Sequence, residues 1–181
     1  PVGEGAAAVL VVSEDAIDRL GLDRSRCVKV LSSAQRSEQL YGSKSFDAEL
    51  TRETTRLAYE QAGITPEDVD LVELHDAFTI EELQYLEAMG HADEGQAAKA
   101  LAAGEFNRGG RVAVNTSGGL LGAGHPIGPT GIGQIAEITE QIRGEAGDRQ
   151  HPGARTGVAH MVGLGAVCVV HVLQGDGNKN S

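Results

Sequence analysis

Three short stretches of the sequence hold residue types that could do chemistry. The densest runs from Asn115 to Gly128, where five glycines and Pro126 bracket a single histidine, His125. It falls at the joint between an apolar, strand-like segment and a helix-like one. Ligands of open α/β sheets bind outside the carboxyl ends of strands, so this is the expected address of a site. Glycine lets backbone approach a ligand closely, and the start of the next helix offers free N–H groups. His125 would serve there as a general base or as a donor to developing negative charge. The plainer alternative is a tight structural turn carrying a surface histidine.

His75-Asp76 is the second stretch, again where a strand pattern ends and a helix begins. A histidine so placed could polarise a carbonyl, although Asp76 and Thr79 read equally well as helix caps. His160 is the third, ending a strand just before Gly163-Leu164-Gly165. Alone it would read as a core histidine. Recurrence is what raises all three: a histidine at each of three strand ends, beside glycine-rich or capped backbone.

Other motifs fail on context. Gly131-Ile132-Gly133 and its neighbours fit a dinucleotide-binding pattern but lie inside a helix pattern. Thr116-Ser117-Gly118-Gly119 lacks the glycine before serine that a nucleophile elbow needs. His91-Ala92-Asp93-Glu94 has metal-ligand types, but its polar surroundings suggest a solvated face and no metal is expected. Cys27 and Cys168 form no Cys-x-x-Cys pair and read as small core residues.

The elements that must position these groups follow from periodicity. Ala6–Val12 reads as a buried strand, with Ser13 capping a helix over Asp15–Leu20 that Gly21 stops. Cys27–Leu31 is a strand and Ser32–Ser45, with Tyr41, a polar loop. A helix carries Leu50, Leu57, Ala58 and Ala62 on one face. Val69–Leu74 is a strand, Thr79–Glu82 a capping box, and Ile80, Leu83, Leu86 and Met89 one stripe of the next helix. Arg111–Asn115 is a strand, and Ile132, Ile135 and Ile142 mark a helix face. Thr156–His160 and Ala166–Leu173 are joined too tightly for a crossover and form an antiparallel hairpin. The alternation predicts an α/β layered fold with a mixed, mostly parallel sheet flanked by helices.

Composition narrows the partners. The 181 residues suit one ordinary domain, and 40% hydrophobic content supports a core. The net charge of −11 argues against nucleic acid and anionic membrane as partners. No apolar run approaches the ~20 residues of a membrane span, so the expected location is cytoplasmic. The chain opens on Pro1-Val2-Gly3 without Met, which suggests a fragment or half-subunit.

With His75-Asp76-Ala77-Phe78, Gly124-His125-Pro126-Ile127-Gly128 and His160 through Gly165 taken together, the chain resembles the C-terminal half of a thiolase. The closest likeness is to the sterol-carrier-protein and archaeal type. Glu4 to Ala8 resembles the last strand of that family's N-terminal domain. The domains implied are the end of the N-terminal domain at 1–22, the C-terminal domain at 23–174 and a disordered tail at 175–181.

The resemblance implies a thiolase-like fold and an acyltransferase of lipid metabolism that joins or cleaves acyl groups on coenzyme A through a cysteine acyl-enzyme. Coenzyme A would be substrate, with no tightly bound cofactor. His125 would activate the cysteine and hold the thioester oxygen, His75 would belong to an oxyanion hole, and His160 would match the histidine of the final turn. Substrate-facing positions would be Phe78, Ser117, Gly118, Gly124 and Gly163. The nucleophilic cysteine belongs to the N-terminal half, so this chain alone is expected to be inactive. Ala77 and Met161 stand where proton-shuttling cysteines are found, and Pro129 where Ala is common. Implied partners are acyl-CoA, the N-terminal thiolase half, a second copy in a homo-oligomer such as a dimer, and an OB-fold protein. The resemblance also admits a thiolase-like protein without thiolysis, such as a steroid side-chain retro-aldolase or an acyl-CoA-channelling subunit. A non-catalytic scaffold is a further alternative.

Overall fold

The computed structural model describes residues 3–38, 47–163 and 167–175. Its five strands are β1 (Val28–Ser37), β2 (Leu71–Glu73), β3 (Ala113–Val114), β4 (Thr156–Gly163) and β5 (Val167–Gly175). They form one sheet in the order β1-β5-β4-β2-β3. The expected hairpin is present: β4 and β5 pair antiparallel from Thr156 opposite Gln174 to Gly163 opposite Val167. β1 adds antiparallel to β5, while β2 pairs parallel with both β4 and β3. The sheet is therefore mixed, with two parallel and two antiparallel pairings. The parallel half carries two of the three expected strand ends, those of β2 and β3, while β4 continues past His160 to Gly163.

Helices cover both faces. Alternation along β2 sends Val72 into a cluster with Leu50, Ala58, Leu86 and Met89 from α2 (Asp47–Ala62) and α3 (Thr79–Ala88). Leu71 points the other way, to Ile138 of α6 (Thr130–Arg143) and Ala159 of β4. A sheet covered on both faces needs apolar residues at successive positions, which is the pattern of Leu71-Val72 and Val158-Ala159. α6 lies close against the sheet because β4 has Gly157 beneath it, where a Cβ would overlap Ile138 Cγ2. Its buried stripe is largely polar: Gln134, Glu137 and Gln141 flank Ile138, while the expected Ile132 is exposed. Gln141 gives that polarity partners, donating to Arg149 O and accepting from His151 N.

Several sequence expectations are corrected. Ala6–Val12 forms no strand, and Leu10 and Val11 are about four-fifths exposed. The stretch is apolar, but no strand among the described residues pairs with it. α1 (Glu14–Leu20) follows as expected, with Ser13 accepting from Ala16 N and Gly21 left-handed at φ 64°. Ser32–Ser37 is not loop but the second half of β1, an edge strand whose polar residues lie mostly on its exposed side. Residues 39–46, including Tyr41, and 176–181 of the expected tail lie outside the described residues, whereas Gly175 ends β5. α3 begins at Thr79, so Phe78 rather than Thr79 is its cap position, and Glu81 accepts from Phe78 N. No helix among the described residues is long and apolar enough to cross a membrane.

Gly157→Ala should lower stability by about 1–3 kcal/mol, because α6 must retreat from the sheet to admit one methyl group. A urea midpoint indistinguishable from wild type would show that the helix is not held that close.

Candidate active site

His75 and Asn115 follow the carboxyl ends of β2 and β3, as the sequence suggested. β4 runs on to Gly163, so His160 does not end its strand but lies inside it, opposite Val170 and one residue beyond the parallel pairing with β2. His125 reaches the same place from the loop between α5 (Gly119–Ala123) and α6; its ring stands edge-on to His75 with centroids 5.3 Å apart. The loop that delivers it is pinned to β2 at several points. Asn115, left-handed at φ 49°, donates from its backbone to Val72 O and accepts at Oδ1 from Leu74 N, 2.8 Å each. Asparagine tolerates that conformation better than other non-glycine residues. Asp76 Oδ1 accepts from Leu120 N at 2.6 Å. Asp76 thus caps α5, 44 residues away, rather than the helix that follows it in sequence. Gly119 is required here, since a Cβ would strike both carboxylate oxygens of Asp76.

His125 and His160 are held in different tautomers by their neighbours. Thr130 Oγ1 donates its one hydrogen to Pro126 O at 2.8 Å and lies 2.9 Å from His125 Nδ1. It can therefore only accept from the ring, so Nδ1 carries the proton and Nε2 is left bare. His160 is the reverse. Its Nδ1 accepts from His75 N at 3.4 Å, and Nε2 donates to Thr51 Oγ1 at 2.9 Å. It is fully buried, and burial, with His75 nearby, pushes its pKa down to about 3. Both nitrogens face protein, with His160 supporting the backbone of His75. Burial also lowers the His75 pKa, helped by His125 and opposed by Asp47.

The other expected contact residues divide. Phe78, Gly118, Gly124 and Gly163 are exposed, Phe78 at 68%. Ser117 is turned inward, its hydroxyl donating to Glu73 and accepting from Gly119 N. His91 is buried rather than solvated, 3.2 Å from Tyr59 Oη, with its pKa lowered to about 4 by burial. No group of three metal-ligating side chains occurs among the described residues. Cys168 is buried against Thr51 and Thr54, and burial pushes its thiol up to about 11.

A carboxylate network beneath the loop was not foreseen. Glu73, 1% exposed, accepts from Thr116 Oγ1, Ser117 N and Ser117 Oγ. Thr116 also lies 3.1 Å from Glu137 of α6, which Arg149 grips in turn. Burial lifts the Glu73 pKa to about 7 against those donors. Burial works to raise Glu137 too, but Arg149, Gln141 and Thr116 outweigh it and hold that carboxyl below its ordinary range. The only sequence signal for Glu73 was an acidic residue among the apolar positions of the Val69–Leu74 segment, which also holds Asp70.

Comparison with known proteins places this arrangement. The profile of the thiolase C-terminal domain-like family matches residues 32–174. The chain belongs to that family. It is 40% identical over 176 residues to human sterol carrier protein 2, covering 94% of this chain and 32% of that protein. To the acetyl-CoA acetyltransferase of Methanothermobacter thermautotrophicus it is 38% identical over 175 residues, covering 96% of this chain and 45% of the relative. This thiolase-type chain thus spans about a third to a half of the proteins it matches. Among solved structures, an Ltp2-ChsH2(DUF35) aldolase superimposes with a TM-score of 0.72 at 26% identity, over 83% of this chain and 40% of that one.

Glu73 gives a pH test with a defined sign. Its carboxyl is unfolded near the ordinary 4.5 and folded near 7, so the folded state holds the extra proton between them. Stability contributed by this group therefore falls as pH rises through that window. Glu137, shifted the other way, acts below it. Glu73→Gln mimics the protonated acid and should flatten the decline in urea midpoint between about pH 5 and about pH 8. Equal slopes in both proteins would contradict the assignment.

Proposed function

We propose that this chain is the histidine-bearing C-terminal part of a thiolase-type acyl-CoA acyltransferase, residues 23–174 forming that domain. It would act with a cysteine nucleophile supplied by an N-terminal thiolase half. The observation that carries the reading is the fixed tautomer of His125: Nδ1–H is held by Thr130, which leaves Nε2 bare on a ring that stands edge-on to His75. A base in that state takes the proton of a thiol, and the thiolate attacks the acyl-CoA carbonyl. The imidazolium then offers Nε2–H to the oxygen on which charge develops. His75 stands where it can share that charge, and His160 keeps its backbone in place. Phe78, Gly118, Gly124 and Gly163, all exposed, are the positions against which the thioester and its pantetheine arm would lie in this reading. Coenzyme A is substrate in this reading, not a resident cofactor.

A second reading is favoured by one specific observation. Ala77 and Met161 carry no exchangeable proton at the positions where the family resemblance places shuttling cysteines, and Cys168 is buried with its thiol pKa raised. A retro-aldol cleavage of a CoA ester needs the oxyanion site but no acyl-cysteine, and one structural neighbour is named an aldolase. It would also provide a place for a second subunit carrying an OB-fold.

In the full-length protein, His125→Ala should lower kcat/KM for thiolysis of acetoacetyl-CoA by about 10²–10⁴-fold. Thr130→Val, which leaves the ring without its acceptor, should lose about 10–100-fold. Wild-type protein with no thiolysis but with retro-aldol activity on a β-hydroxyacyl-CoA would transfer the assignment to the second reading. No activity on either ester would overturn both.

A further inference from the structure

His75 Nδ1 is buried and has no hydrogen-bond partner among the described residues. A carboxylate nevertheless stands beside it: Glu81 Oε2 is 3.7 Å away, with the two side chains only 10% and 16% exposed. That carboxylate is not free to swing, because the same oxygen accepts from Phe78 N at 3.1 Å. The cap of α3 therefore holds a negative charge against the histidine that precedes the helix. A carboxylate tethered in this way loses little side-chain freedom on pairing, unlike an exposed ion pair. The separation lies just beyond hydrogen bonding, and such contacts commonly tighten only when substrate is bound.

We infer that Glu81 is a positioning residue for His75: it takes the Nδ1 proton as its hydrogen-bond partner and leaves Nε2 as the nitrogen that meets substrate. The inference rests on the acyl-CoA reading above and assigns the group that sets the state of its second histidine. Nε2 takes the proton of the incoming coenzyme A thiol as its thiolate attacks the acyl-cysteine and expels the cysteine thiolate. The ring becomes an imidazolium with Nδ1–H facing the Glu81 carboxylate, which stays ionised. In the next cleavage the imidazolium gives that proton to the α-carbon of the enolate released when the carbon–carbon bond breaks, and the ring is neutral again. No further co-reactant is needed. This provides a proton-carrying group in a site where Ala77 and Met161 carry none.

The surroundings of His75 contain opposing charges. His125 faces it from the loop before α6 and disfavours a second positive charge. Asp47, at the start of α2, favours it and also faces Glu81. His160 of β4 touches only the backbone of His75, and Tyr85 of α3 lies between His160 and Glu81. Glu81 is the carboxylate in position to pair with Nδ1 directly.

The test is a ring-nitrogen NMR titration of His75 in uniformly ¹⁵N-labelled protein from about pH 4 to about pH 9, a range spanning the histidine titration. Wild type should show the neutral ring protonated at Nδ1. Glu81→Gln should lower the His75 pKa by about 1 unit, as expected for loss of an opposite charge at this range. Glutamine retains an acceptor for Phe78 N, so the amide resonances of α3 should stay in place. A His75 titration unchanged in Glu81→Gln would overturn the inference. So would a wild-type neutral ring protonated at Nε2, a result that needs no variant to fold. The spectra judge the pairing whether or not the protein cleaves acyl-CoA, whereas absent thiolysis and retro-aldol activity would overturn the functional reading alone.

Discussion

Two carboxylates at the end of one short strand hold the loop on which the site depends. Glu73 closes β2 and gathers the Thr116 hydroxyl and both donors of Ser117; Asp76, three residues on, takes the backbone N–H of Leu120. Between them they fix the start of the Asn115–Gly128 loop against β2, with Asn115 bonding back to Val72 and Leu74. His125 is carried by the same loop. Burying Glu73 is costly, and its raised pKa reflects that cost, but three donors on a single carboxyl compensate much of it. The tether passes on through Glu137 and Arg149 to α6, the helix that begins just after His125. Loop and helix are thereby set against the strand as one unit.

The histidines show how little the ring alone decides. His125 has a threonine whose single hydrogen is already spent on Pro126, which forces the proton onto Nδ1. His160 has a backbone N–H pointing at Nδ1, which forces the proton onto Nε2. Burial then separates their chemistry. His160 is kept neutral far below neutral pH, while half-buried His125 keeps one nitrogen for a ligand. His75 stands between them, with its backbone on one and its ring edge-on to the other. Glu81 completes this set, because it governs the histidine whose ring nitrogens no other group fixes.

The special backbone of the site was legible in the sequence because glycine, proline and asparagine mark conformations that other residues avoid. The Gly118-Gly119 turn, the His125 loop and the β4–β5 hairpin were all read from such residues. Glu73 was not, since an acid in a mostly apolar strand gives no pattern and its meaning lies in Ser117, 44 positions later. Asp76 was read as a cap but of the wrong helix, for capping chemistry does not say which N-terminus will be near. Ala6–Val12 was read as a strand because apolar character marks a segment that prefers cover without supplying the partner. The second half of β1 was missed for the converse reason: an edge strand with an exposed side can be polar and still pair.

The state of His125 is the point on which the functional account turns. Long-range ¹H–¹⁵N correlation of its ring, recorded on the neutral imidazole in the unliganded protein, reads that state directly. The account predicts a neutral ring protonated at Nδ1 with Nε2 bare. A neutral ring protonated chiefly at Nε2 would leave that nitrogen no base and would contradict it.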